Sequence, residues 1–305
     1  METDQHSSQI STNYTNNDVT ETTYHLDSKN DYFPAIRDTS HSSISSSVDI
    51  DVIRSMQDVV PDPTKTLPIT QRCLAEFLGT FIFIFISLGT VNQAVLTNQS
   101  SPQLNIAFGF AIGLTSGIHF ANNISGAHLN PSITFTMWVF KQINFKDMLY
   151  YMVAQFTGAF LAALLVFCLY NDLIRAEGYN EKTASLYGTY KNDKVSIGIS
   201  LLEQIVVSAL LMLGILRSSR IHQYTPVLIG TVIFSIALIS PNGFAMNPCR
   251  HYSPLFVTVL FWGVKVLKYQ EYFAAWVVLI GSPIGTILGW YCDIIIERYL
   301  NKNIY

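Results

Sequence analysis

From about residue 72 onward the chain alternates between long apolar runs and short polar breaks. Six runs are near the ~20 residues that cross a bilayer as a helix. They predict spans over 73–96, 104–122, 145–170, 195–216, 226–239 and 272–296. Two further apolar segments, 130–140 and 247–263, are too short to cross. Each opens on an Asn-Pro step, in which Asn caps a helix and Pro takes the first helical position without losing a hydrogen bond. The order is three spans with an inserted half-helix, then the same again. Glu76 precedes Asn130 by 54 residues and Glu203 precedes Asn247 by 44. Because each block has an odd number of spans, the second is expected upside down relative to the first. Inverted repeats of this type place their site near the midplane, where broken helices point their positive ends inward. The fold class expected is an all-α membrane protein of six transmembrane helices plus two re-entrant half-helices.

Residues 1–70 break the pattern. They are rich in Ser, Thr, Asn and Asp and hold 11 acidic and 4 basic side chains, net −7. Such a segment cannot bury enough apolar surface to offset its ordering entropy, so a disordered tail is expected. The remainder is net +4, so the overall charge of −3 conceals an acidic tail on a basic membrane body. The organisation expected is therefore a tail at 1–70, a first half-repeat at 71–170 and a connecting loop at 171–194. A second half-repeat at 195–297 and a short C-terminus at 298–305 complete it. Lys141, Lys146, Arg217, Arg220, Arg298 and Lys302 fall in loops on one side, which predicts cytoplasmic termini and an extracellular connecting loop. Lys265 and Lys268 lie on the other side and oppose that assignment. Asn98 heads an Asn-x-Ser sequence on the outer side and is a candidate glycosylation acceptor.

Half of the residues are hydrophobic and 13% are charged, about half the charged share of a soluble domain. Four widely spaced cysteines form no CxxC and no His/Cys cluster, so neither a disulfide framework nor a metal site is implied. There is no GxSxG, HExxH, P-loop or strand-to-helix GxGxxG. An enzyme, a cofactor and a nucleic-acid partner are not expected.

The segments Gly-Ala-His-Leu-Asn-Pro-Ser (126–132) and Gly-Phe-Ala-Met-Asn-Pro-Cys-Arg (243–250) resemble the two Asn-Pro-Ala pore loops of the aquaporin, or major intrinsic protein, family. The six spans, the half-helices and a Glu on spans one and four match it too, over about 72–297. The resemblance implies a homotetramer with a pore through each subunit, and the plasma membrane is the default expectation for a chain that shows no other address. It implies that the motifs Asn130, Pro131, Ser132 and Asn247, Pro248, Cys249 meet at mid-pore, with both Asn donating N–H groups to a passing oxygen. It implies that Glu76 and Glu203, with His128 as brace or gate, hold the pore loops. Gly-Phe-Ala-Met-Asn-Pro is closer to the glycerol-conducting branch. Counting back from the loops puts the selectivity filter on Phe110, Ser235, Phe244 and Arg250. Two aromatic faces opposite an arginine suit a polyol. In the water-selective branch His usually stands at the position of Ser235 and something smaller at that of Phe244.

Departures from the family pattern are Ser132 and Cys249 in place of Ala, His251 in place of the glycerol branch's Asp, and Ser253 in place of Gly. Cys249 either fills a buried gap or flanks the pore, and His251 could tune the outer vestibule. The function implied is a passive channel for glycerol, other small neutral solutes and water that excludes protons and ions. A water-selective channel, a coupled secondary transporter and a structural junction protein are the alternatives.

Overall fold

The computed structural model describes residues 67–189, 192, 194–269 and 273–302. Most of the expected tail, up to residue 66, lies outside the described residues. Among the described residues ten α-helices follow one another: α1 Ile69–Leu96, α2 Pro102–Ser125, α3 Pro131–Val139, α4 Phe145–Glu177, α5 Glu181–Ala184, α6 Ile197–Ser218, α7 Thr225–Ile239, α8 Pro248–Trp262, α9 Val266–Tyr269 and α10 Phe273–Lys302. A 3₁₀ turn, His222–Tyr224, leads into α7. No strand occurs among the described residues. Six helical segments among the described residues are long and apolar enough to span a membrane, corresponding to α1, α2, α4, α6, α7 with its 3₁₀ turn, and α10.

Many boundaries lie within a few residues of those expected from the apolar runs, but α4 and α10 extend further. The third span does not stop at 170. It continues through Ile174, which is buried, to Glu177, and Gly178 (φ +88°) ends it. The connecting segment is correspondingly shorter and carries α5, whose Asn180 and Thr183 form a reciprocal capping box. Polar Asn171 and Asp172 read as a loop in sequence, yet one polar pair does not stop a helix that the next turn can bury.

Packing repeats between the halves. Helix α1 packs on α2 and α4, α6 packs on α10 and α7, and α2 packs on α7 to join the halves. Glycine permits the closest crossings. A Cβ on Gly158 of α4 would lie 2.4 Å from the Phe77 carbonyl oxygen of α1, and one on Gly285 of α10 would lie 2.3 Å from the Ile205 carbonyl oxygen of α6. Backbone cannot yield there as a flexible side chain would. Gly158→Val and Gly285→Val are therefore each expected to destabilise the bundle by roughly 1–3 kcal/mol or more, read as lost monodisperse protein after detergent extraction. Wild-type yield and melting for both would contradict this packing.

Candidate pore and constriction

The two half-helices begin back to back. Asn130 caps α3, its Oδ1 accepting from Ser132 N at 2.9 Å. Asn247 caps α8, its Oδ1 accepting from Cys249 N at 3.1 Å and Arg250 N at 3.3 Å. Each Asn also reaches across: Asn130 Nδ2 donates to Met246 O at 2.9 Å, and Asn247 Nδ2 donates to Leu129 O at 2.8 Å. The carbonyls that accept these bonds belong to the residues just before each Asn. Leu129 (φ +48°) and Met246 (φ +47°) both sit in the left-handed region that side chains disfavour. Two strained residues, two caps and two reciprocal bonds thus fix the N-termini against each other, with their positive dipole ends facing.

Glu76 holds the first loop. Fully buried on α1, it accepts from Ser125 Oγ (2.6 Å), His128 N (2.9 Å), Leu129 N (2.8 Å) and Gln155 Nε2 (2.8 Å). His128 braces the same loop, with Nδ1 3.2 Å from Thr134 Oγ1 and its ring edge-on to Tyr151.

In the second loop Gln204 joins Glu203. The residue that meets Met246 N is Gln204, whose Oε1 accepts at 3.0 Å. Glu203 Oε1 accepts from Asn242 N of the same loop at 3.4 Å, and its buried Oε2 has no hydrogen-bond partner among the described residues. The repeat supports this register. Phe77, next after Glu76, faces Gly158, and Ile205, next after Gln204, faces Gly285. Consecutive residues on a helix point ~100° apart, so the charged neighbour stands one step away from the working position. Gln204→Leu is expected to strand the Met246 N–H at a cost of about 1–3 kcal/mol, lowering the melting temperature. A Gln204→Leu protein that melts like the wild type would show that the bond does not matter.

Three of the four expected filter residues converge. The Phe110 and Phe244 rings meet edge to face with centroids 4.8 Å apart, and the Arg250 guanidinium lies 4.8 Å from the first centroid and 5.8 Å from the second. These are cation–π distances. Arg250 is buried, and its Nε has no hydrogen-bond partner among the described residues.

Ser235 is the fourth expected member. It lies on the exposed stripe of α7 with Val227, Thr231 and Leu238, and its hydroxyl donates back to Thr231 O at 2.9 Å. Ile229, Ile233 and Ile236 form the buried stripe of the same helix.

Cys249 is fully buried, with Sγ 3.0 Å from Asn247 Oδ1 and 3.8 Å from Leu129 O, so it packs behind the cap. Ser132 is also buried. His251 is wholly buried, and its Nδ1 accepts from Thr189 N at 3.3 Å. Asn98 is exposed in the turn after α1.

Comparison with known proteins gives a consistent family. The model of the family described as "Major intrinsic protein" matches residues 64–292. A glycerol uptake facilitator protein of Pseudomonas aeruginosa is 32% identical over 238 residues, covering 72% of this chain and 85% of the relative. Aquaporin-9 of Mus musculus is 32% identical over 239 residues, covering 72% of this chain and 80% of its own length. Among solved structures, the aquaglyceroporin from Plasmodium falciparum superposes with a TM-score of 0.70. It is 22% identical, with 77% of this chain and 99% of that chain covered.

Proposed function

The chain belongs to the major intrinsic protein family, and from that premise we propose that it is a multi-pass channel passing glycerol, other small neutral solutes and water. Members of the family are channels, not enzymes. The observation that carries the polyol reading is the wall formed by Phe110, Phe244 and Arg250. Two rings offer an apolar surface to a carbon backbone, and the guanidinium offers donors to hydroxyls. Ser235 stands where the water-selective branch usually has His, which disfavours the water-selective alternative.

At the centre, Asn130 and Asn247 would present N–H groups to a solute oxygen, while the facing helix termini oppose cations and protons. Glu76, Glu203 and Gln204 hold the loops. A homotetramer in the plasma membrane, with both termini cytoplasmic and Asn98 available for glycosylation outside, completes the proposal. It follows from the family and from the positions of the basic residues.

Uptake of labelled glycerol by cells expressing the protein tests the channel class. Entry should rise linearly with external glycerol and be indifferent to collapse of the proton gradient. Saturation together with loss on uncoupling would instead indicate a coupled transporter, and no uptake above control cells would overturn the proposal.

A further inference from the structure

Two neighbouring residues in the first turns of α8 reach the same residue of the connecting segment. The Arg250 guanidinium donates through Nη1 to the Thr189 hydroxyl, and the Thr189 backbone N–H donates to His251 Nδ1 at 3.3 Å. The three side chains and one amide close a small ring beside the Phe110 and Phe244 rings. Thr189 is itself anchored on both flanks. Before it, Tyr187 is buried against Trp262 and Phe167, and Trp262 Nε1 donates to Thr183 Oγ1 at 3.0 Å. After it, Asn192 N donates to Asn242 Oδ1 at 3.1 Å and Asn192 Nδ2 to Pro241 O at 3.3 Å, both in the loop leading to Asn247.

We infer that Thr189, held by His251, is a positioning residue that parks the Arg250 guanidinium against the Phe110 and Phe244 rings. The inference rests on the polyol-channel reading of the same constriction. A long guanidinium side chain has many rotamers, and holding one of them costs entropy that the hydroxyl acceptor offsets. One nitrogen is spent on Thr189, and the others remain for a solute. His251 suits the task because an imidazole Nδ1 accepts the Thr189 N–H without bringing a negative charge beside Arg250. No neighbouring carboxylate among the described residues therefore offsets the field of the guanidinium, which repels cations. This gives a physical reason for a histidine where the glycerol-conducting branch usually has Asp. Without Thr189 the guanidinium is free to swing into the narrowest part of the passage. Glycerol, wider than water and more dependent on fixed donors, is hindered more.

The experiment compares Thr189→Val, Thr189→Ser, His251→Leu and His251→Asn with the wild type in proteoliposomes, recording glycerol and water permeability together. Thr189→Val and His251→Leu should lower the glycerol-to-water ratio by about tenfold, the scale of one lost charge-assisted bond. Thr189→Ser keeps the hydroxyl and His251→Asn keeps an acceptor, so each should restore most of the ratio, which a merely structural role would not require. A wild-type ratio in both Thr189→Val and His251→Leu would overturn the inference. Amide exchange across 186–189 provides a readout independent of conduction and of whether one variant folds poorly. It should accelerate in His251→Leu and in Thr189→Val, and unchanged exchange in both would also overturn the inference. A wild type that passes no glycerol would refute the polyol reading alone, leaving the exchange result to decide the positioning role.

Discussion

Glu76→Leu is expected to yield little or no folded protein. The side chain accepts four hydrogen bonds in a site with no exposure to solvent, two of them from the backbone of the loop that carries Leu129 and Asn130. Leucine fills a similar volume but strands His128 N, Leu129 N and Gln155 Nε2, although Gln155 Nε2 retains a 2.8 Å bond to Thr134 Oγ1. Each stranded buried donor costs about 1–3 kcal/mol, so the two amides alone threaten a sizeable fraction of the ~5–15 kcal/mol that holds a typical domain together. Leu129 is additionally strained at φ +48° and depends on those bonds to stay there. Glu76→Gln keeps the shape and one acceptor oxygen, and should lose less. The check is monodispersity and melting temperature in detergent. A Glu76→Leu protein melting with the wild type would refute the role assigned to this residue. The comparison with Gln204→Leu is informative, because Gln204 accepts a single hydrogen bond from its loop, at Met246 N. The first half should be the more sensitive of the two.

Arg250→Leu is expected to fold but to conduct glycerol at least about tenfold more slowly, since a hydrogen bond from a charged group contributes roughly 1.5–3 kcal/mol. The guanidinium is the only cation within reach of the Phe110 and Phe244 rings among the described residues. Its place in the first turn of α8, where a cation opposes the helix dipole, is otherwise unfavourable. Removing it relieves that opposition, so stability should hold while selectivity is lost. Undiminished glycerol permeability in this variant would separate Arg250 from solute recognition.

Residues that can be located from sequence differ from those that cannot in the kind of signal they give. The six spans are legible because an apolar run of bilayer length is what a lipid environment demands and a soluble core seldom needs. The two half-helices are legible because Asn-Pro is a start signal whose two halves, cap and first position, act locally. Asn130, Asn247 and Arg250 can be placed from their own neighbours. Gln204 cannot, because a neutral amide one residue from a charged Glu203 carries no mark of its hydrogen bond. The isoleucine stripe at 229, 233 and 236 gives the buried face of α7 directly. Thr189 lies in a polar connector with no motif, and its importance arises only from a contact 61 residues away in the chain. The strained Leu129 and Met246 likewise follow from the meeting of two loops, which no local pattern encodes.

The central claim is that the wall of Phe110, Phe244 and Arg250 conducts polyols. Stopped-flow light scattering of vesicles containing the purified protein, with glycerol and water permeability recorded side by side, tests it most directly. The account predicts fast entry of both solutes, well above empty vesicles. Fast water flow with glycerol entry no greater than in empty vesicles would contradict it.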